Sequence, residues 1–339
     1  MRDPFGAALL RACEADRRLF VLDGDCSHST RSGRVADRLP GSFLNTGIAE
    51  QNMLGMAAGL ALAGYRPVVS GFASILVGRA AEQILLSIGW PGLPVTIAGH
   101  YAGVSGSLEG APHHAITDLA FMRSVPGMNV WVPADDADAD TLGTEVLTGA
   151  GGPDTPPRPG PNYVRLCRNP MPPVPGGPRG PGDLRVWDHP DPDVVFVACG
   201  VAVAECVAAA ELLAARGVAA RVLGALRLKP FPDSEVYDLV RSGVLVVTVE
   251  EHSTIGGLGG AVAELIAARG GPRVLRLGIA DTFTETGPYR QLLDKYGIAG
   301  PAIAAATHAR LTEPGPRAAP GANGGPGART EPSTRTKTC

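Results

Sequence analysis

The sequence predicts an α/β protein of two domains, each built on a mainly parallel sheet. Short aliphatic or β-branched runs alternate with helical stretches, the signature of parallel strands joined by helical crossovers. The alternation breaks once, between about residues 149 and 192, where Pro and Gly dominate. A length of 339 residues is enough for two separate cores.

Taken in order, residues 5–16 read as a helix and 19–23 as a strand. Residues 48–63 carry small or apolar side chains nearly all round, so they predict a helix buried on most sides. A strand over 66–70, a helix over 78–88 and strands over 93–98 and 129–132 follow. A helix over 134–147 and a strand over 163–167 complete a first domain of residues 1–168. Segments 149–161 and 169–192 are dense in Pro and Gly, and such stretches extend rather than pack. The second of them, 169–192, is expected to link the domains. The second domain, 193–312, predicts strands over 194–199, 219–223, 244–249 and 274–277. Its helices are expected over 202–216, 233–241 and 259–269, then near 289–296 and 302–310. Residues 313–339 lack apolar periodicity and predict a disordered tail.

Composition narrows the function. A net charge of −3 and a pI near 6.2 give no electrostatic footprint for nucleic acid or an anionic membrane. Mean hydropathy is +0.09, yet no run of about 18 apolar residues occurs. Residues 1–6 hold no apolar signal-peptide core. A soluble, cytoplasmic protein is expected. The six Cys form no CxxC pair and the seven His no HxxxH or HExxH spacing, so a protein-supplied transition-metal site is not expected. Lys occurs three times among 30 cationic residues. With abundant Ala, Gly and Pro, that bias reads as a GC-rich genome rather than an Arg-based binding function.

Chemistry concentrates in two segments. In the first, Glu50 opens the apolar helix. A lone Glu there is a helix-terminal carboxylate favoured by the dipole. Gln51 and Asn52 follow it, and Gly55, Ala57, Ala58, Gly59, Ala61 and Ala63 imply close packing against another helix or subunit. A carboxyl buried in such a place is able to hold a proton. The second segment is a Gly-punctuated loop ending in His113, His114 and Asp118. Two His on a loop are often idle, but this loop follows a strand of a parallel sheet, whose carboxyl edge is where ligands bind. Glu250, Glu251, His252 and the glycines at 256, 257, 259 and 260 are tempting as a catalytic cluster or a phosphate loop, but a Gly-rich turn before a helix is a weak signal alone.

These residues carry a resemblance. The strings GIAEQNMLGMAAGLALAG, RPVVSGFASILVGRAAEQI, EGAPHHAITDLAFMRSVPGMNVWVPAD and YVRLCRNP resemble the pyrimidine-binding domain of the transketolase family. LKPFP, VVTVEEHSTIGGLGGAVAE, LGIADTFTETG and LLDKYGI resemble that family's C-terminal domain. Together they span roughly residues 4–306 in the family's order. The resemblance implies a thiamine-diphosphate-binding fold for the first domain and a transketolase C-terminal-like α/β fold for the second. It also marks an absence. The family holds the diphosphate and Mg²⁺ with a Gly-Asp-Gly motif on an N-terminal domain, and Gly24-Asp25-Cys26 is not that motif. The chain therefore resembles the C-terminal half of a split transketolase. A separate N-terminal subunit is expected to supply the metal and diphosphate ligands, in an α2β2 assembly.

The same resemblance makes residues 250–260 a strand-to-helix turn packing at a subunit contact, and it implies roles. Glu50 would face N1′ of the cofactor's aminopyrimidine, where a protonated carboxyl favours the imino tautomer that removes the C2 proton. Phe72 would stack on the pyrimidine ring, with Ile75 where a second aromatic is common and Arg79 beside the cofactor. His113 matches the family's active-site His. Glu109 stands where Asp is usual, and Tyr101 where a substrate-facing His is frequent, with His100 one position away. Arg165 and Arg168 lie on the segment that contributes an Arg to a sugar phosphate. Changes around an intact Glu50 imply ordinary cofactor activation with an unusual substrate. The β subunit of a 2-oxo acid dehydrogenase E1 component shares this architecture, and a regulatory subunit with a degenerate site is a third reading.

Overall fold

The computed structural model describes residues 1–149 and 160–313. The expected tail beyond Glu313 lies outside the described residues. Strands β1 (Leu19–Asp23), β2 (Phe43–Asn45), β3 (Arg66–Phe72), β4 (Thr96–His100), β5 (Asn129–Trp131) and β6 (Asn162–Leu166) pair in parallel in the order β5-β6-β4-β3-β1-β2. Their central residues are aliphatic on both faces, and Val68, Val69, Ile97 and Val164 have no exposed surface. That is the pattern of a sheet covered on both sides. The covering helices are α1 (Arg2–Ala15), α2 (Ser27–Thr30), α3 (Gly33–Arg38), α4 (Glu50–Leu62), α5 (Ala73–Glu82), α6 (Asp118–Ser124) and α7 (Asp136–Thr148). The helix expected over 78–88 begins earlier, at Ala73, and widens into a π-helical turn over Gln83–Gly89. Helix α4 is less buried than its composition predicts. Ala57, Ala58 and Ala61 pack inward, while Gly55, Gly59, Leu62 and Ala63 face out of the chain.

The second sheet comprises β7 (Arg179–Gly180), β8 (Leu184–Trp187), β9 (Val194–Ala198), β10 (Ala220–Ala225), β12 (Leu245–Ser253) and β13 (Arg273–Ile279), in the order β13-β12-β9-β10-β8-β7. It is packed by α8 (Ala202–Ala214), α9 (Asp233–Val240), α10 (Leu258–Arg269), α11 (Tyr289–Lys295) and α12 (Gly300–Thr312). Strand β11 (Arg227–Lys229) belongs to neither domain cleanly. It leaves the second domain and pairs antiparallel with β5, so the first sheet ends on a strand from residues beyond 193.

The segment expected to be a free linker is largely pinned. Strand β8 is antiparallel to β10, and β7 is antiparallel to β8. Arg185 ties the segment down: its guanidinium meets Asp135 at 2.6 Å and Asp138 at 3.1 Å and donates to the Val174 carbonyl at 2.6 Å. Asp135 in turn caps α7 by accepting from the Asp138 amide. Local Pro and Gly content does not foresee such long-range charge pairing.

Between the domains runs a buried polar seam. Arg165, at the end of β6, is 3% exposed and pairs with Asp118, the first residue of α6, at 2.8 Å. Tyr163 donates to the same carboxylate at 2.6 Å. Arg165 also donates to the carbonyls of Ala115 and Glu251, at 2.8 and 3.0 Å. From the second domain, the Glu250 carboxylate caps α10 by accepting from the Leu258 and Gly259 amides. Glu251 accepts from the Val104 amide at 2.7 Å, and His252 from the Ala120 amide at 3.4 Å. The structural reading of residues 250–260 thus holds, but within this chain it is the first domain that they contact.

Two predictions follow from this seam. Arg165→Ala leaves the Asp118 carboxylate buried and unpaired, which costs about 3–5 kcal/mol; chemical denaturation measures it, and an unchanged midpoint would contradict the structural role. Burial lifts the Glu251 carboxyl to about 7, against the pull of Arg165, the Val104 amide and the Tyr289 hydroxyl and with a push from Asp118. An ordinary Glu titrates near 4.5. The stability this group contributes is therefore complete below that value and is lost as pH rises through 7. Glu251→Gln cannot ionise, so its melting temperature should gain on the wild type between about pH 5 and about pH 8. A difference that stays constant across that range would show that the carboxyl titrates normally.

Candidate active site

The candidate residues meet at one edge of the first sheet because of its parallel register. Asp23 of β1 lies beside Ser70 of β3, Phe72 of β3 beside His100 of β4, and His100 beside Leu166 of β6. Every segment that leaves these carboxyl ends therefore emerges on the same side. The segment after β2 enters α4 at Glu50, β3 ends on Phe72 directly before α5, and the loop after β4 holds Tyr101, Glu109 and His113. The segment after β6 brings Arg168.

Glu50 is 8% exposed, and its Oε2 accepts from Nη1 of the exposed Arg79 at 3.0 Å. Sequence placed these two residues 29 apart beside one cofactor; the fold brings them into an ion pair. Phe72 and Ile75 are half-buried at the start of α5. The Phe72 ring lies 4.5 Å from Tyr101 and 5.5 Å, edge-on, from His113. Nδ1 of His113 is buried with no partner among the described residues, so a polar group is owed to it.

Tyr101 is the strained residue of the site. Its φ of +62° is a left-handed conformation that a bulky residue adopts only when its surroundings impose it. Those surroundings are Arg2 and Arg168, whose guanidinium groups lie 5.4 and 5.2 Å from the ring centre. Tyr101 itself is 2% exposed, so it floors the site and the two Arg cover it. Arg2 donates to the Arg168 carbonyl at 2.7 Å, and Arg168 lies 3.5 Å from the exposed Glu109. Arg2 was not foreseen from the sequence. Position 2 lies 166 residues from Arg168, and no motif joins them.

Two expected substrate residues are elsewhere. His100 is fully buried, with Nε2 3.1 Å from Ser70 Oγ and its ring against Phe5. Burial, with the nearby Arg2 charge, lowers its pKa to about 3, so it is a neutral core residue. It is the last residue of β4, and its side chain turns into the protein just before the chain bends at Tyr101. Arg165 is saturated by Asp118 and two carbonyls, whereas the Arg168 guanidinium, paired with Glu109 and lying over Tyr101, is 35% exposed and open to solvent. Among the described residues, no three His, Cys, Asp or Glu side chains are arranged to hold a metal ion. No helix among them is long and apolar enough to cross a membrane.

Comparison with known proteins identifies the family. The model of the transketolase pyrimidine-binding domain matches residues 1–153, and that of the transketolase C-terminal domain matches residues 185–303. A 6-deoxy-6-sulfo-D-fructose transketolase subunit from Clostridium sp. (strain MSTE9) is 33% identical over 321 residues, covering 91% of this chain and 93% of that protein. A putative transketolase C-terminal section from Methanocaldococcus jannaschii is 36% identical over 311 residues, covering 90% and 94%. A solved split-gene transketolase, described as an inactive beta4 tetramer, superposes with a TM-score of 0.78 at 39% identity, covering 92% of this chain and 97% of that one. The chain belongs to the transketolase family, as a pyrimidine-binding domain followed by a transketolase C-terminal domain.

Proposed function

We propose that this chain is the C-terminal subunit of a two-component, thiamine-diphosphate-dependent transketolase. It would move a two-carbon ketol unit from a ketose donor to an aldehyde acceptor. The observation that carries this reading is the convergence of Glu50, Phe72, Tyr101 and His113 at one sheet edge. The chain also aligns over nearly all its length with a transketolase subunit and a putative transketolase C-terminal section.

The residues fit the pyrimidine end of the cofactor. A nearly buried carboxyl opens a helix, half-buried Phe72 and Ile75 offer a ring-sized apolar wall, and His113 presents a buried nitrogen with no partner among the described residues. Bound thiamine diphosphate supplies the carbanion stabilisation that making and breaking a C–C bond requires. Glu50 would meet the cofactor's ring nitrogen as its hydrogen-bond partner, beside Arg79, which is 55% exposed and 3.0 Å from the carboxylate. His113 exchanges a proton with a substrate hydroxyl. Arg2 and Arg168 hold an anionic tail over Tyr101, and Glu109 limits the charge that fits beside them. A phosphate and the sulfonate named for the Clostridium relative share that chemistry. Ile75, Tyr101 and Glu109 favour a specialised sugar over the ordinary pentose phosphates.

The N-terminal half is assigned to a separate subunit, which would hold Mg²⁺ and the diphosphate in an α2β2 complex in the cytoplasm. Large apolar side chains around the site support a covering partner: Ile48 is 71% exposed, Leu108 70% and Phe283 93%. The test is Glu50→Gln in the complex with that subunit, thiamine diphosphate and Mg²⁺. Ketol transfer and exchange of the cofactor's C2 proton should both fall roughly 10²–10⁴-fold, with assembly unchanged by sedimentation. Near-normal transfer would show that Glu50 does not have this role.

A further inference from the structure

The loop that carries Tyr101, Glu109 and His113 is closed at its neck. The Gly103 amide donates to the Ala115 carbonyl at 3.1 Å, and the Ala115 amide donates back to Gly103 at 2.9 Å. Inside the neck the packing is direct. A Cβ at Gly106 would stand 3.1 Å from the His113 carbonyl oxygen and 3.2 Å from its Cβ. Whatever fixes residues 103 and 104 therefore fixes the backbone of His113. One side chain of the second domain does so. Glu251, 2% exposed, accepts from the Val104 amide at 2.7 Å and from the Tyr289 hydroxyl at 3.2 Å. It stands so near Gly103, whose φ is +59°, that a Cβ there would come within 2.3 Å of the carboxyl carbon. Further out, the second domain holds the same loop through Ser107 Oγ, which donates to the Gly287 carbonyl at 2.9 Å. His114 Nδ1 lies 2.8 Å from Thr284 Oγ1.

We propose that Glu251 is a positioning residue for ketol transfer, setting from the second domain the place of His113 and of the substrate loop in the first. This rests on the role proposed for His113, and it gives the C-terminal domain a part in the reaction. The carboxyl touches neither substrate nor cofactor. It acts through one backbone amide and one glycine. Glu50 lies on a different segment, after β2, so the proton step at the cofactor is independent of Glu251. The two domains thereby divide the work: the first activates the cofactor, and the second holds the loop that receives the sugar. Displacement of a reacting group by about 1 Å is enough to slow a reaction about 100-fold.

The experiment compares wild type, Glu251→Asp, Glu251→Gln and Gly103→Ala, each with the N-terminal subunit, thiamine diphosphate and Mg²⁺. Asp draws the acceptor back by one methylene, and Ala pushes on it from the other side. Both should lower kcat/KM for the donor about 10- to 100-fold while C2-proton exchange stays at the wild-type rate. Gln keeps an acceptor for the Val104 amide and should restore transfer. Amide exchange over residues 101–115, measured on the chain alone, should quicken in the Asp and Ala variants and not in Gln. Equal protection and equal kcat/KM in all four proteins would overturn the proposal, as would transfer and C2-proton exchange falling together. Absence of transfer by the wild-type complex would count against the proposed function, and the amide-exchange result would still decide whether Glu251 holds the loop.

Discussion

The buried pair of Asp118 and Arg165 is the contact on which the rest of the molecule depends. Each charge loses several kcal/mol of hydration on burial, and the cost is offset only when every remaining donor and acceptor is matched. Here the matching groups come from both domains. Tyr163 and Ala115 belong to the first, and the Glu251 carbonyl to the second. The pair therefore forms only when β6, α6 and β12 are all in place. Its bond to the Glu251 carbonyl ties to the first domain the strand that carries Glu250, Glu251 and His252. Apolar packing across the seam would give comparable stability without that registry.

From this seam the site is built in one direction. Parallel register aligns the carboxyl ends of β1, β3, β4 and β6, and the loops leaving them converge without further instruction. What register does not supply is the conformation of the loop after β4. Tyr101 is held at positive φ under two guanidinium groups, and Ser107 also has a positive φ, of 56°. Such strain persists only where the surroundings over-determine it. Arg2 and Arg168 do so from one side, and the second domain from the other.

Much of this was legible in the sequence, and the limits were physical. Strands and helices with a plain apolar rhythm appear where expected, within a few residues, because the sheets are buried on both faces. Phe72, Tyr101 and His113 were picked out by resemblance, and they pack together. The segment 169–192 was misjudged because Pro and Gly content reports local stiffness, not the ion pairs of Arg185 with Asp135 and Asp138. Arg165 and Arg168 looked equivalent, yet one lies within β6 and turns into the seam while the other lies beyond its end. No local signal separates them. The pairing of Glu50 with Arg79, the approach of Arg2 to Arg168 and the grip of Glu251 on Val104 all join residues far apart in the chain. Only the folded structure brings those together.

The proposal at the centre is that this chain acts as the C-terminal subunit of a two-component transketolase, its Glu50, Phe72 and His113 meeting the pyrimidine end of the cofactor while a separate subunit meets the diphosphate. The most direct measurement is ketol transfer while the N-terminal subunit is titrated into a fixed amount of this chain, with thiamine diphosphate, Mg²⁺ and a ketose donor carrying an anionic tail. The account predicts no transfer by either subunit alone and a rise that saturates at equal amounts of the two. Turnover by this chain alone, or no turnover at any ratio with any such donor, would contradict it.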